Sequence, residues 1–180
     1  MQHLWAPWRA EYFLNEKTNE CIFCLKASQR NLRGGFADDE ANHLLVRERT
    51  CFAMLNAYPY TGGHLMVAPY RHTGDLDDLT EEELKDLMIL ARRCQRLLTR
   101  AFKPDGFNIG FNLGAAAGAG IAAHLHLHVV PRWNGDTNFM TVVSDVRVIP
   151  EGLKRTYEKL SQELKNENQG TASDPRQNHG

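Results

Sequence analysis

The segment HLHLHVV, in which His124, His126 and His128 alternate with apolar residues, constrains the fold of this chain more than any other feature. Strict alternation of polar and apolar side chains is typical of a β-strand with one buried face, because successive side chains point to opposite faces. The three imidazoles therefore share one face over roughly 13 Å, at about 3.3 Å per residue. A solvent-exposed row without a role is the alternative. Three of the chain's 8 histidines at this spacing favour a functional site.

Length and charge indicate one globular domain without a polyanionic partner. A chain of 180 residues suits a single core, and a net charge of −1 gives no reason to expect nucleic acid or an anionic membrane. No segment approaches the roughly 18 apolar residues that span a bilayer. The start, MQHLWAPWRAEYFL, lacks the apolar region of a secretory signal. Four cysteines are too few for a disulfide framework, so we expect a cytoplasmic protein.

Several short apolar runs predict strands in addition to the histidine strand. HLLVRE and CFAMLN flank a charged turn at residues 47–50, and HLMVAPY ends at Pro69. PDGFNIGFNLG reads as a turn followed by a strand with Phe107, Ile109 and Phe111 on one face, and FMTVV is a further strand candidate. Hairpin-length connections favour an antiparallel sheet of about five strands. The expected fold class is α+β.

Two helices complete the predicted domain, which spans residues 1–165. The longer runs from Thr80 to Phe102, with Thr80 and Glu83 in a capping box, and PEGLKRTYEKLSQELK forms the second. Residues 166–180 contain no Val, Ile, Leu, Met or aromatic residue, which predicts a disordered tail. The apolar stripes expected to face the core are Leu84, Leu87, Met88, Ala91, Cys94, Leu98 and Phe102 in the first helix, and Leu153, Tyr157, Leu160 and Leu164 in the second.

The glycine-rich segment GFNLGAAAGAGIAA directly precedes the histidines. Glycine lets the backbone approach a ligand and direct N–H groups at phosphate oxygens, although a flexible loop explains this composition equally well. Imidazole serves as a nucleophile toward phosphorus, as a proton donor or acceptor, or as a metal ligand. His126, with a histidine on each side, is the candidate nucleophile, and its neighbours would stabilise developing charge and protonate the leaving group.

The CIFC segment, with Cys21 and Cys24, has three interpretations. A redox pair normally begins a helix in a βαβ context, which is absent here. Two core thiols are the second interpretation. Half of a Cys₂His₂ zinc site is the third, with His72 and His124 as candidates for the remaining ligands.

At this point the chain resembles a known family. HLHLHVV matches the H-φ-H-φ-H-φ-φ signature of the histidine-triad (HIT) superfamily of nucleotide hydrolases and transferases. HLLVRERTCFAMLNAYPYTGGHLMVAPYRH resembles the first half of that domain, and GFNLG resembles its strand with a ligand-binding Asn. The resemblance covers about residues 20–150. LWAPWR, CIFC and HVVPRWNGDTNF are similar to the branch that contains diadenosine tetraphosphate (Ap4A) phosphorylases.

The resemblance implies roles for residues at matching positions. His126 would take a nucleoside monophosphate onto its ring, His128 would contact the α-phosphate, and His64 would line the same phosphate site. It also implies that Cys21, Cys24, His72 and His124 bind zinc. A closed set of four ligands is structural rather than catalytic. The family also implies a homodimer.

The same resemblance implies a substrate-binding set and exposes one departure. Asn56 would bind the ribose hydroxyls, Asn112 the phosphate or the leaving group, and Trp133 would help to form the acceptor end of the cleft. Gly120, preceded by Ala119, stands where the family usually has Gln or Ser, so a side-chain hydrogen bond to phosphate is missing and backbone N–H groups would have to replace it. This departure leaves the acceptor open.

The expected activity is cleavage of a nucleoside polyphosphate at the α-phosphorus through a nucleotidyl-His126 intermediate. The most specific form is phosphorolysis of Ap4A to ATP and ADP. The alternatives are hydrolysis of dinucleoside polyphosphates or adenosine phosphoramidates and, from another class, a zinc-stabilised nucleotide-binding or interaction protein with little catalysis. No organic cofactor is expected.

Overall fold

The computed structural model describes residues 20–28, 39–136 and 152–171. The FMTVV strand candidate and the aromatic-rich N-terminal segment before residue 20 lie outside these ranges. The described elements, in chain order, are α1 (Ile22–Ser28), β1 (Leu44–Arg47), β2 (Cys51–Leu55), β3 (Leu65–Pro69), a 3-10 turn (Leu76–Asp78), α2 (Glu81–Phe102), β4 (Gly106–Phe111), a second 3-10 turn (Ala115–Ala117), β5 (Leu127–Arg132) and α3 (Leu153–Thr171).

The strands form one antiparallel sheet in the order β1-β2-β3-β5-β4, as far as the described residues extend. Helix α2 packs against β2, β3 and β5, and α3 packs against α2. This arrangement confirms the predicted α+β fold with about five strands, one long helix and a C-terminal helix. His128 pairs with Met66 on one side and with Gly110 on the other. The third triad histidine therefore lies inside the sheet, beside a residue without a side chain.

Helix α2 begins where its sequence predicts. Thr80 accepts a hydrogen bond from the main-chain N–H of Glu83, and the Glu83 carboxylate accepts one from the main-chain N–H of Thr80, so the capping box is confirmed. The predicted stripe is wrong at Leu84 and Met88, which are 38% and 56% exposed. Leu90 and Leu97, which were not part of the predicted stripe, are buried instead. The members of the buried stripe are Leu87, Leu90, Ala91, Cys94, Leu97 and Leu98.

The histidine strand is shorter than predicted. Leu125, Leu127 and Val129 enter the main core with α2, which confirms the alternation, but β5 begins only at Leu127. The pairing with β3 starts at Val67 opposite Leu127. Before that point the N–H of Leu125 bonds to the carbonyl of Thr73 rather than to a strand. The first two triad histidines therefore lie in the irregular segment ahead of the strand.

The C-terminal helix is longer than predicted. Leu160 is fully buried, and Leu153, Tyr157 and Leu164 pack against the main core, as expected. Helix α3 continues to Thr171, so the predicted disordered tail is wrong for residues 166–171. Glu167, in this added part, forms an ion pair with Arg93 of α2. Residues 172–180 lie outside the described ranges. In the described part of the chain, no helix is long and apolar enough to cross a membrane.

Candidate active site and Cys/His cluster

Four metal-ligating side chains meet where the start of helix α1, the loop after β3 and the segment before β5 come together. The Sγ atom of Cys21 lies 3.3 Å from Nδ1 of His124, and that of Cys24 lies 3.3 Å from Nδ1 of His72 and 3.5 Å from Nδ1 of His124. The two histidine Nδ1 atoms are 3.3 Å apart. All four donor atoms lie within 4.8 Å of one another. We call Cys21, Cys24, His72 and His124 the Cys/His cluster.

The cluster fits a tetrahedral zinc ion. Zn–S bonds of about 2.3 Å and Zn–N bonds of about 2.0–2.1 Å imply S···N edges of about 3.5 Å and N···N edges of about 3.3 Å, close to the observed spacings. The Nε2 atom of His124 lies 3.0 Å from the carbonyl oxygen of Pro69. An Nε2–H that donates to this carbonyl leaves Nδ1 unprotonated toward the cysteines, as a metal ligand requires. The residue set therefore matches the expected donors.

The C-terminal end of helix α1 is attached to the sheet through Arg47, in addition to the Cys/His cluster at its N-terminal end. The Arg47 side chain, on β1, donates to the carbonyl of Ala27 at 2.8 Å and forms an ion pair with Asp39, also at 2.8 Å. Cationic donors suit the unpaired carbonyls at a helix C-terminus. The Arg47 side chain is only 11% exposed. The seven-residue helix is thus held by Arg47 at one end and by the cysteines at the other.

His126 lies between Phe23 and His128. Its ring centroid is 4.9 Å from each of the two neighbouring rings. Its Nδ1 atom lies 2.8 Å from the carbonyl oxygen of His124. Because a carbonyl only accepts, Nδ1 carries the proton and Nε2 keeps its lone pair in the neutral ring. The local backbone therefore sets His126 in the tautomer that a nucleophilic Nε2 requires.

A chain of hydrogen bonds also fixes the tautomers of His64 and His128. The main-chain N–H of Tyr60 donates to Nδ1 of His64 at 3.1 Å, so the His64 proton is on Nε2. That Nε2–H donates to Nδ1 of His128 at 2.9 Å, which leaves the His128 proton on Nε2. The Nδ2 atom of Asn112 lies 3.4 Å from His128 Nε2. Two N–H donors that cannot bond to each other thus lie side by side, an arrangement that suits the oxygens of a phosphoryl group.

Burial keeps His64 and the triad histidines neutral. Burial is the largest cause that lowers the pKa of His64 to about 3 and that of His128 to about 4, and the charges of neighbouring histidines contribute to both shifts. The pKa of His126 is also lowered, mainly by burial. Neutral rings agree with the tautomers set by the hydrogen bonds. A histidine that stays unprotonated at neutral pH retains the nitrogen lone pair needed for attack on phosphorus.

These pKa shifts predict acid sensitivity of the fold. Unfolded histidines titrate near pH 6.5, whereas folded His64 and His128 bind protons only near pH 3 and 4. Below pH 6.5 the unfolded state therefore binds more protons, and stability falls as the pH falls, by about 1.4 kcal/mol per pH unit for each histidine. Urea unfolding of metal-free protein between about pH 7 and 5 measures this slope. In the variant His64→Gln this slope should be smaller by about 1.4 kcal/mol per pH unit. A slope equal to that of the wild-type protein would contradict the lowered pKa of His64.

The predicted substrate-binding residues surround the histidines to different degrees. The Oδ1 atom of Asn56 accepts from the main-chain N–H of Tyr58 at 2.8 Å, and its Nδ2 lies 3.3 Å from His64 Nδ1. Asn112 contacts His128, as described above. Gly120 is exposed in the segment after the second 3-10 turn, and Trp133 is half-buried directly after β5. No ring contact between Trp133 and a triad histidine is found among the described residues.

Sequence analysis missed two residues of this site. Phe23 contacts the rings of both His124 and His126, and Tyr60 stacks against His64 with ring centroids 4.7 Å apart. Phe23 reads as an ordinary core residue, and Tyr60 as part of a turn. The only available signal was the position of Phe23 between two candidate metal ligands.

Residues 38–135 match the HIT domain family. Because that match covers more than half of the chain, this protein belongs to the HIT family, which confirms the resemblance carried by HLHLHVV. A Mycobacterium tuberculosis protein named AP-4-A phosphorylase is 39% identical over 164 residues, which are 91% of this chain and 84% of that protein. The asymmetrical bis(5'-nucleosyl)-tetraphosphatase of Schizosaccharomyces pombe is 34% identical over 95 residues, 53% of this chain and 52% of the relative.

A solved structure with the same fold carries zinc. The Zn-bound histidine triad family protein of Mycobacterium smegmatis superposes with a TM-score of 0.62 at 27% identity, over 84% of this chain and 97% of that one. The likeness confirms the fold. That relative is Zn-bound, and zinc is the metal that fits the Cys/His cluster described above.

Proposed function

We propose that this protein cleaves Ap4A by phosphorolysis, with His126 as the nucleophile and inorganic phosphate as the acceptor. One structural observation carries the proposal: the main-chain carbonyl of His124 holds the proton on Nδ1 of His126, which leaves Nε2 unprotonated. The similarity to AP-4-A phosphorylase over 91% of the chain supports the choice of substrate.

In the first step, Nε2 of His126 attacks the α-phosphorus of Ap4A and the bond to the bridging oxygen breaks. The products are an adenylyl group on His126 and ATP. The Nε2–H of His128 and the Nδ2 of Asn112 donate hydrogen bonds to phosphoryl oxygens. His64 keeps His128 in this tautomer through its own Nε2–H, so His64 acts through His128. Asn56 binds the ribose hydroxyls.

In the second step, an oxygen of inorganic phosphate attacks the adenylyl phosphorus and displaces Nε2 of His126. This forms ADP and returns the free imidazole, so that Ap4A and phosphate together give ATP and ADP. The backbone near Gly120 and the indole of Trp133 form the acceptor end of the cleft in this proposal. Hydrolysis of the same intermediate by water is the alternative reaction, and the similarity to a tetraphosphatase supports this alternative.

The proposal includes a structural zinc ion held by Cys21, Cys24, His72 and His124. Four protein ligands leave no open coordination position, so the ion would stabilise the fold and take no part in the chemistry. All four cysteines of the described chain are free thiols, in keeping with a reducing cytoplasm. A homodimer is part of the proposal, and the exposed apolar side chains of Leu84, Met88 and Ile89 on α2 support it.

A product assay with and without phosphate tests the proposed reaction. Ap4A is incubated with the protein in phosphate-free buffer and in buffer with inorganic phosphate, and the nucleotides are separated. ATP plus ADP formed only with phosphate is the expected result. ATP plus AMP in both buffers would establish hydrolysis instead. Turnover of an adenosine phosphoramidate, without turnover of Ap4A, would move the proposal to the other hydrolytic alternative.

A further inference from the structure

Phe23, between the two cysteines of the Cys/His cluster, packs directly on the nucleophile. Its side chain is 1% exposed, and its ring centroid lies 4.9 Å from that of His126 and 5.0 Å from that of His124. We propose that Phe23 is a positioning residue for His126, and that it couples metal binding in the Cys/His cluster to the orientation of the nucleophile. This inference rests on the proposed nucleotidyl transfer through His126.

The position of Phe23 depends on the cluster because α1 is short. A seven-residue helix is marginal by itself and needs tertiary attachments. At its C-terminal end the attachment is Arg47 on Ala27. At its N-terminal end, beside the packing of Phe23 in the apolar cluster, the polar attachments are Cys21 to His124 and Cys24 to His72. Loss of the metal would remove the ion that holds these cysteine and histidine side chains together.

The orientation of the His126 ring needs support from packing. The second side-chain torsion of histidine is broad and roughly two-fold, so a half-turn exchanges the edges of the ring. One hydrogen bond, from Nδ1 to the carbonyl of His124, opposes that rotation. The rings of Phe23 and His128 border the imidazole. Without the Phe23 ring, the imidazole gains space to rotate, and Nε2 spends less time aligned with phosphorus.

His124 gives the cluster a second connection to the nucleophile. Its ring belongs to the Cys/His cluster, and its carbonyl oxygen accepts the hydrogen bond that fixes the tautomer of His126. Its Nε2 is tied to Pro69 of β3. A displacement of the His124 backbone on loss of the metal would therefore also move the carbonyl that accepts from His126. Both connections act on orientation alone, since Phe23 offers no group that touches the phosphorus.

A matched pair of variants separates positioning from general stability. Phe52 is 0% exposed, lies in the same apolar cluster and contacts Phe23 and Tyr70, but no contact of its ring with a triad histidine is found in the described structure. Phe23→Leu is expected to lower the single-turnover rate of adenylyl-His126 formation about tenfold, with KM changed less than twofold. Phe52→Leu is expected to leave that rate within about twofold, at a similar loss of stability. Equal rate losses in both variants would overturn the positioning role.

Nuclear magnetic resonance of the His126 ring tests the coupling without relying on turnover. The ring protons are assigned from the spectrum of His126→Ala, and the Phe23 ring is expected to shift them through its ring current. Removing the metal from wild-type protein with a chelator should change these signals in the same direction as Phe23→Leu does. Signals of His126 that stay fixed while those of His124 move would contradict the coupling. So would wild-type protein purified without stoichiometric metal.

The two sets of measurements distinguish this inference from the proposed reaction. If wild-type protein forms no adenylyl adduct, the proposed reaction fails, whatever the spectra show. If the adduct forms at equal rates in wild type and Phe23→Leu, the reaction stands and the positioning role fails.

Discussion

The variant His126→Ala is expected to lose at least about 10⁴-fold in turnover of Ap4A, because it removes the atom that forms the covalent intermediate. Neither neighbour can replace it: the Nδ1 of His128 is occupied by His64, and the Nδ1 of His124 faces the cysteines. Intact-protein mass spectrometry after mixing with Ap4A in phosphate-free buffer should show one adenylyl group on the wild-type protein and none on the variant.

Two controls make the His126 result specific. His43→Asn changes a half-buried histidine that contacts Tyr157 and has a positive φ of 55°, which asparagine tolerates; its turnover should stay within about twofold of wild type. His126→Gly with added imidazole should recover product without a protein-bound adduct. An adduct that persists in His126→Ala would assign the nucleophile to another residue.

Where sequence and structure agree, a local pattern or the family resemblance was enough. The capping box of Thr80 and Glu83 acts within four residues, and it starts α2 where predicted. The four residues of the Cys/His cluster were proposed through the family resemblance, and the fold brings their donor atoms together. The triad pattern HLHLH marks both the side-chain alternation and the family.

Where they differ, distant parts of the chain decide. Leu84 and Met88 continue the helical period but lie beyond the sheet that covers Leu87 and Leu90. The segment HLHLH does not show that hydrogen bonding to β3 starts only at Leu127. That start depends on where β3 lies beside the histidine segment in the folded chain. Tyr60 fixes His64 through a main-chain N–H, which any residue type other than proline would provide. Such contacts carry no signature in a single sequence.

The same reasoning explains why the three triad histidines have different environments despite their even spacing. The ring of His124 faces the cysteines, that of His126 lies between Phe23 and His128, and that of His128 bonds to His64. Alternation determines which side of the sheet the rings occupy. The partners come from α1 and from the turn before β3.

Loss of the metal through Cys24→Ser is expected to lower the melting temperature by about 10 °C. Structural zinc contributes roughly 10–16 kcal/mol where it drives folding of an entire small domain. Here the core around α2 contains no cluster residue, so the loss falls mainly on α1 and the segment before β5. A loss of about 3 kcal/mol corresponds to roughly 10 °C for a domain of this size. Calorimetry and metal analysis of protein purified without chelator measure both quantities.

Cys51→Ala is the matched control for Cys24→Ser. Cys51 is 0% exposed on β2, within the main core, and burial raises its pKa to about 11, so it stays a protonated thiol that binds no metal. This variant should lose about 1–2 kcal/mol of stability and keep stoichiometric zinc. Cys24→Ser should lose the zinc, and adduct formation should slow only about tenfold, far less than in His126→Ala, because the nucleophile itself remains. A Cys24→Ser protein with full zinc content and wild-type melting temperature would rule out the cluster as a metal site.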